Sequence, residues 1–318
     1  MFGTLVLAAL PLAFTATLFG QGDVRPRVTI VSGSRSDGAP TNQWLAMLRR
    51  RLSPGEFDSV AMIRRSRTSD EEAWAHLIES ESHTWPAAAD SLGFLFDLPS
   101  LPEVGIVLGN RGAEDAFTHD STTIGMDLAA LQRVYGDAAQ DINRDRVNRF
   151  FRHEYVHTLQ KRWLARHPFA AHSFLDDAVF DAWAEGLGNY YSLSSDWRPA
   201  GGMPSPVTAA ALAELEPILV ERFVALACAD SAAAGRLLKG LSSGPFTKKW
   251  GALPVALWLL ADQTVDKDAL HRFATGGPLA FWDLAERHVS GPRADSLRAA
   301  RRRDSASCSP ERWPVRPE

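Results

Sequence analysis

The pattern of apolar and polar positions predicts strands in the first part of the chain. Residues 28–31 alternate and stop at a Ser-Gly pair, which is typical of a short strand. Residues 103–108 and 121–126 are rich in β-forming side chains and predict two more strands. The polar residues 110–120 between them predict a loop. Together these segments predict a small β-containing lobe.

A helical period predicts helices before and after these strands. Residues 41–52 and 128–135 each fit one helix. Residues 69–92 fit a helix that is broken or kinked at Pro86, because proline removes a backbone donor and clashes with the preceding turn.

The longest predicted helix covers residues 143–166 and is terminated by Pro168. A short loop leads to Ser173, whose hydroxyl can cap a helix over residues 174–191 together with Asp176, three positions on. The rest of the chain is mostly helical, with predicted helices at residues 206–230, 231–241, 253–264, 267–274 and 278–289.

This order of elements predicts an α+β fold with two lobes. The small β-containing N-terminal lobe covers about residues 23–142, and the mainly helical C-terminal lobe covers about residues 143–291. After Gly291 the chain is rich in arginine and serine, so residues 292–318 are predicted to form a polar tail that frays.

Residues 2–20 carry no charge and end in small residues, which is typical of a signal peptide. We therefore predict that residues 1–22 direct export to the periplasm or the outside of the cell, and that no stable membrane span remains after cleavage. Pro11 and the modest length of the run disfavour a spanning helix. An uncleaved membrane anchor and a buried N-terminal strand are the alternatives.

Composition and charge narrow the classes of function. The chain is 45% hydrophobic and 23% charged, which is ordinary for a globular protein. Its formal net charge of −4 at pH 7 provides no bulk positive field, so nucleic acid is not an expected partner. The two cysteines, Cys228 and Cys308, could form one disulfide in an oxidising compartment or remain free thiols.

The chemistry is concentrated in the longest predicted helix, where His153 and His157 lie four positions apart. Side chains at this spacing share one helix face, so both imidazoles can reach one ion. Glu154 is rotated from His153 by about one hundred degrees, which places it beside the ion and able to accept a proton from water. This is the HExxH pattern of zinc hydrolases. The alternative is a surface helix that happens to carry two histidines.

A catalytic zinc usually takes three protein ligands, and Glu185 is the candidate for the third. It lies in a mainly apolar helix, where an unpaired carboxylate is costly to bury. Gly186 and Gly188 each cost the helix about 1 kcal/mol relative to alanine, but they allow a neighbouring backbone to approach closely. We therefore predict one zinc ion bound by His153, His157 and Glu185. The alternative is an exposed Glu185, with the glycines marking the helix end.

The strings HEYVH, at 153–157, and WAEGLGNYY, at 183–191, resemble the gluzincin metallopeptidases, which include thermolysin-like enzymes and membrane-type aminopeptidases. The similarity is closest to poorly characterised bacterial predicted zinc-dependent proteases, in which a leucine-acid segment, here residues 175–177, leads into the glutamate helix. The resemblance is specific over residues 152–191. It implies a zincin-like fold with the metal site between the lobes, His153, His157 and Glu185 as ligands, and Glu154 as general base.

Some features depart from that family's pattern. The spacing from His157 to Glu185 is longer than in thermolysin-like enzymes. Asn189 stands where some members carry an acid that orients a ligand histidine, and Asp181 is the alternative orienting residue. No residue is assigned to stabilise the oxyanion. A structural role is the simpler interpretation for each candidate: Tyr155, Tyr190, Tyr191, His271 and His288.

The resulting hypothesis is a zinc-dependent metallopeptidase that acts on peptides or proteins. In the resembling enzymes, the strand before the metal helix is a sheet edge that pairs with the substrate. Residues 122–127 are the candidate here, and an internal strand is the alternative. A catalytically silent zinc-binding module and a zinc hydrolase of non-peptide amides are the other functions considered. Glu154 favours an enzyme, because a purely structural site has no use for a carboxylate that is not a ligand. The substrate, the endo- or exopeptidase preference and the oligomeric state are not determined by the sequence.

Overall fold

The computed structural model describes residues 26–111, 114–199 and 203–303. The predicted signal peptide and Cys308 lie outside these residues. The described residues form an α+β fold with one four-stranded sheet and thirteen α-helices. The strands are β1 (Val28–Ser32), β2 (Val104–Gly109), β3 (Ala116–Thr118) and β4 (Thr123–Asp127). The helices are α1 (Asn42–Arg49), α2 (Pro54–Ala61), α3 (Ser69–Ser82), α4 (Trp85–Leu92), α5 (Leu128–Tyr135), α6 (Asp141–Leu164), α7 (Phe174–Ser192), α8 (Pro206–Leu226), α9 (Ser231–Leu238), α10 (Ala252–Val265), α11 (Ala269–Thr275), α12 (Ala280–His288) and α13 (Pro292–Arg301).

The sheet is mixed and has the strand order β1-β2-β4-β3. Strands β1, β2 and β4 run parallel, while β3 pairs antiparallel with β4. The sequence predicted β1, β2 and β4. The apolar residues of β2 and β4 are buried on a sheet covered by helices, whereas β1 alternates between partly buried and exposed residues. The predicted edge strand, residues 122–127, is instead internal, since β4 has a strand neighbour on each side. The edge strand next to β4 is β3, which lies inside the predicted loop, and β1 forms the other edge.

Side chains of β2 point alternately to the two faces of the sheet, and helices cover both faces. Ile106 and Leu108 belong to the main core, which includes residues from α3 to α13. Val107 points the other way and packs with Trp44 and Phe57, from α1 and α2, in a smaller cluster. The sheet and the helices after it therefore share one continuous core.

Proline explains how the segment predicted as one helix over residues 69–92 divides. Helix α3 ends at Ser82, and Pro86 lies in the first turn of α4. Proline is tolerated there because a first-turn N–H has no partner within the helix. Helix α2 was not predicted, although Ser53 and Glu56 form a capping box at its start.

Helix α6 is fixed by apolar residues spaced one turn apart. Val147, Phe151, Tyr155 and Leu159 are all fully buried. The Trp85 ring of α4 stacks on Phe151, with 4.5 Å between ring centroids and an interplanar angle of 5°. This face holds α6 against the first half of the chain, which leaves the opposite face to carry other chemistry.

Helix α7 lies between α6 and α10. It begins as predicted at Ser173, whose hydroxyl accepts a hydrogen bond from the Asp176 N–H. A Cβ atom at Gly186 would lie 2.3 Å from Cγ1 of Val255 in α10, a distance that real atoms do not adopt. Glycine at this position therefore allows α7 and α10 to pack closely.

The C-terminal segment differs from the predicted tail. Residues 292–301 form α13, which packs on α8 and buries Ala294, Leu297 and Ala300 at a helical spacing. This short apolar stripe is difficult to recognise in the sequence, because it consists of two alanines and one leucine among several arginines. None of the described helices has the length and apolar character that crossing a membrane requires. Cys228, just after α8, is disulfide-bonded.

We expect Gly186→Ala to lower the free energy of unfolding by about 1–3 kcal/mol, because the added methyl group overpacks the contact with Val255. Gly235→Ala is the matched control, since its Cβ would meet no atom within 4 Å in helix α9. That substitution should raise stability by about 0.5–1 kcal/mol. Urea denaturation of both variants measures the difference. Equal effects would contradict the proposed packing role of Gly186.

Candidate metal centre

Helices α6 and α7 bring together the three predicted ligands, His153, His157 and Glu185. The two imidazole Nε2 atoms lie 3.0 Å apart. The Glu185 carboxylate lies 3.7 Å from Nε2 of His153 and 3.5 Å from Nε2 of His157. One ligand atom from each residue lies within 4.8 Å of the other two, so the group could hold a metal ion.

These spacings fit a small cation. Two ligand atoms that each lie about 2.0 Å from a tetrahedral ion stand about 3.3 Å from one another, close to the three observed separations of 3.0, 3.5 and 3.7 Å. The donor set of two imidazoles and one carboxylate leaves a fourth position open.

Gly188 makes the convergence of the two helices possible. A Cβ atom at this position would lie 2.9 Å from Cε1 and 3.0 Å from Nε2 of the His153 ring. Only glycine therefore lets α7 pass this close to the imidazole. The two glycines beside Glu185 thus serve different contacts: Gly188 allows α7 to approach α6, and Gly186 allows α7 to approach α10.

A hydrogen-bond chain fixes the tautomer of His157. The Gln160 amide nitrogen donates to the Ala184 carbonyl of α7 at 3.1 Å, which turns the amide oxygen toward His157. That oxygen lies 2.7 Å from Nδ1 of His157 and can only accept. Nδ1 therefore carries the proton, and Nε2 presents a lone pair to the site.

His153 is held by the far end of α7. Its Nδ1 lies 3.0 Å from the hydroxyl of Ser192, the last residue of that helix. Burial and the nearby charges of His157 and Lys249 hold the pKa of His153 well below its usual value, while the Gly188 backbone acts in the opposite sense. The imidazole is therefore neutral at neutral pH, as a metal ligand must be.

Glu154 lies beside this group and is anchored by the edge strand β3. The Thr118 hydroxyl is 2.8 Å from both the carboxylate Oε2 and the backbone oxygen of Glu154. The other carboxylate oxygen, Oε1, lies 4.0 Å from Nε2 of His153. Burial raises the pKa of Glu154, although the hydrogen bond from Thr118 partly offsets that effect.

The two predicted orienting residues occupy other positions. Asn189 is buried, with 1% of its surface exposed, and neither amide atom has a hydrogen-bond partner within the described part of the chain. Asp181 is half-buried and makes no hydrogen bond to either imidazole among the described residues. Ser192 and Gln160 bond to the histidines instead. Helix spacing alone does not reveal the partners of a ring nitrogen, because they depend on how the two helices pack.

The candidates for oxyanion stabilisation are not in the site. The Tyr155 hydroxyl donates to the Pro102 carbonyl in the core, and His288 pairs with Asp262. His271 bonds to the Phe94 carbonyl. None of these three, nor Tyr190 or Tyr191, lines the cavity that contains the metal-binding group.

That cavity has a volume of about 1070 Å³ and is bounded by β3, α6, α7 and the segment before α10. Its walls include Thr118 and Ala116 of the edge strand, the three candidate ligands and Glu154. The lining also includes Asp181 and Asn189, which lie one helical turn before and one turn after Glu185 on α7. The space is large enough for a ligand of several residues.

Comparison with known proteins adds no family to this description. No protein-family model matches the chain, no curated protein matches it, and no solved structure matches it. The function must therefore be argued from the geometry of the site.

Three supporting residues were missed from the sequence. Gln160 stands three positions after His157, on the same helix face, and this spacing was a usable signal. Ser192 and Thr118 carried no such signal, because they come from the end of α7 and from a strand of three residues.

We expect Gln160→Ala to weaken binding of a divalent cation by about 10–100-fold, because His157 loses the partner that fixes its tautomer. Chelator competition with Zn²⁺ or Co²⁺ measures the affinity. Gln132→Ala is the matched control, since the Gln132 amide donates to Asp70 away from the cavity. Unchanged affinity in the Gln160 variant would contradict the proposed role of the hydrogen bond.

The raised pKa of Asp181 predicts that the stability of the protein depends on pH. Burial, then the charges of Glu185 and Asp177, raise its pKa to about 6. The folded protein thus binds this proton more tightly than the unfolded chain, so stability is lost as the pH rises from about 4 to about 6. Asp181→Asn should stabilise the metal-free protein by about 1 kcal/mol at pH 8, after allowance for solvent screening of a half-buried group.

That gain should disappear below about pH 4, where Asp181 is protonated in both states. Urea denaturation in the presence of a chelator, at several pH values, measures it. Asp283→Asn is the control, because an exposed acid in the first turn of α12 favours that helix, lies outside the group of charges that acts on Asp181, and should give no gain when removed. A gain in the Asp181 variant that is independent of pH would reject the assignment.

Proposed function

We propose that this protein is a zinc-dependent metallopeptidase. The observation that carries the proposal is the convergence of His153, His157 and Glu185 from two helices, with Glu154 alongside and not part of the ligand set. Two imidazoles and a carboxylate are a typical donor set for catalytic zinc. The gluzincin resemblance of the same residues points in the same direction.

Zinc in this position would lower the pKa of a water molecule and polarise the substrate carbonyl. The residues of the chain would then move the proton. Glu154 would accept a proton from the attacking water through Oε1, because Oε2 is occupied by the Thr118 hydroxyl. The same carboxyl would pass the proton to the leaving nitrogen. Thr118 therefore directs which oxygen of the base faces the reaction.

The edge strand supports a peptide as the substrate. His119 and Asp127 donate backbone hydrogen bonds to Thr123 and Asp115, so the intervening residues Ala116 and Thr118 turn their backbone groups away from β4. Among the described residues, the outward Thr118 carbonyl accepts from Lys161 and the Ala116 N–H donates to the Asp115 side chain.

The Ala116 carbonyl and the Thr118 N–H remain to pair with an added strand. The N–H and C=O of one residue in an extended peptide point to the same side and can pair with both groups, whereas the N–H and C=O of a single trans amide point in opposite directions. Both residues line the cavity next to Glu154. We therefore favour a peptide over other amides.

We expect Glu154→Gln to retain one equivalent of zinc and to lose at least about 100-fold in kcat, because the amide cannot accept the proton. Metal analysis and cleavage of a peptide library, measured on the same preparation, test this. Glu185→Gln is the contrasting variant, since the loss of a ligand charge should reduce the zinc content itself.

Two results would reject the proposal. Full activity in the Glu154 variant would remove the assigned base. A wild-type protein that binds zinc stoichiometrically and cleaves no peptide or protein would indicate a zinc-binding module without peptidase activity.

A further inference from the structure

The cavity wall contains five cationic side chains, and four of them have partners. Arg51 pairs with Glu114, and Lys161 donates to the Thr118 carbonyl at 3.0 Å. Arg146 donates to Asn143, and Arg149 pairs with Asp145 at 2.7 Å. Lys249 is the fifth. Among the described residues, its ammonium group makes neither a hydrogen bond nor an ion pair.

Lys249 is held in this position by its neighbours in the chain. It lies three positions before the first residue of α10, and its carbonyl accepts a hydrogen bond from the Leu253 N–H in the first turn of that helix. Its ammonium lies over the Phe246 ring at 5.9 Å. The side chain is half-buried and its charge acts on the His153 imidazole. A positive charge without a counter-ion thus stands on the His153 side of the metal-binding group.

Asn189 provides a second, independent observation on the same side of the cavity. It is buried and lines the cavity, yet both atoms of its amide lack partners. The preceding residue, Gly188, is the one that touches the His153 ring. A buried amide of this kind requires a polar partner, and no described residue supplies one.

The cavity lining also includes an acidic side chain on α7, Asp181. Asp181 lies one turn before Glu185, whereas Asn189 lies one turn after it. Asp181 has no cationic partner among the described residues, and its carboxyl would repel an anion. An anionic group is therefore disfavoured beside Asp181 and favoured beside Lys249.

We propose that Lys249 binds a carboxylate group of the substrate and that the Asn189 side-chain amide donates a hydrogen bond to the same group. The inference rests on the proposed peptidase function and names its substrate class: peptides with a carboxylate close to the scissile bond. Two sources have this chemistry, a free C-terminal carboxylate and an acidic side chain. Lys249 is a specificity residue and takes no part in proton transfer.

Three peptides of the same length and otherwise identical sequence test the proposal: one with a free C-terminus and neutral side chains, its C-terminal amide, and an amide with glutamate as the last residue. Lys249→Met removes the charge and keeps the apolar stem, and Lys249→Arg restores a charge. Lys248→Met is the matched control, because the adjacent Lys248 is exposed and pairs with Glu214 outside the cavity.

The expected result is a rise in KM of about tenfold or more for a carboxylate peptide in Lys249→Met, with kcat within about twofold, because a charge-assisted hydrogen bond is lost. Lys249→Arg should recover most of the loss, and Lys248→Met should change nothing. If KM for the peptide with the free C-terminus depends on Lys249, the C-terminal carboxylate is the group that Lys249 binds. If KM for the amide peptide that ends in glutamate depends on Lys249, the bound group is an acidic side chain.

If Lys249→Met raised KM equally for the carboxylate peptides and the neutral amide, the proposal would be overturned, since Lys249 would then have a general role at the reacting carbonyl. The absence of any preference for a carboxylate in the wild type would also overturn it. Asn189→Leu should also raise KM for carboxylate peptides more than for the neutral amide. Zinc content and circular dichroism of each variant show whether it is folded and loaded.

Binding separates this proposal from the proposed function. Titration calorimetry of the zinc-loaded Glu154→Gln variant with the acid and amide peptides measures recognition without cleavage. Tighter binding of the acid, lost on adding Lys249→Met, supports the carboxylate site even if no peptide is cleaved by the wild type. Equal binding of both peptides rejects the site, whatever the activity.

Discussion

The close approach of α7 to α6 at Gly188 is the contact on which the site depends. A single added carbon at this position would overlap the His153 ring. Because the two helices can approach this closely, the Glu185 carboxylate one turn earlier comes within 3.7 Å of the nearer nitrogen of each imidazole. The close packing of α7 on α10 through Gly186 supports it from the other side. The metal-binding group is therefore a product of helix packing as much as of the residues that compose it.

The two helices also support one another's ligands. Helix α6 carries Gln160, which binds the α7 backbone at Ala184 and thereby sets the proton position on His157. Helix α7 ends at Ser192, whose hydroxyl contacts the ring of His153. His153 is thus oriented by a bond to α7, and His157 by a side chain that α7 holds in place, so a small shift of either helix would disturb two ligands together.

Much of this site could be predicted because helix periodicity is a local property. The spacing of His153 and His157 and the glycines beside Glu185 indicated three groups that could meet. The supporting contacts could not be predicted, since Ser192 and Thr118 act across elements that are far apart in the chain. The same reason explains the fold: β3 has three residues, too few for a recognisable alternation, and the stripe of α13 consists of two alanines and one leucine among arginines. The two-lobed zincin-like architecture stays a prediction.

Strand β3 is tethered to α6 at two points. The Thr118 hydroxyl contacts Glu154 and the Thr118 carbonyl accepts from Lys161, one on each side of His157. Register is also fixed on the other side, where Phe117 pairs with Gly125. A strand of this kind should tolerate few insertions or deletions during evolution, because adding or removing one residue would turn the Thr118 hydroxyl to the opposite face of the sheet. Natural variation in this region should therefore accumulate in the flanking segments and spare the three-residue strand.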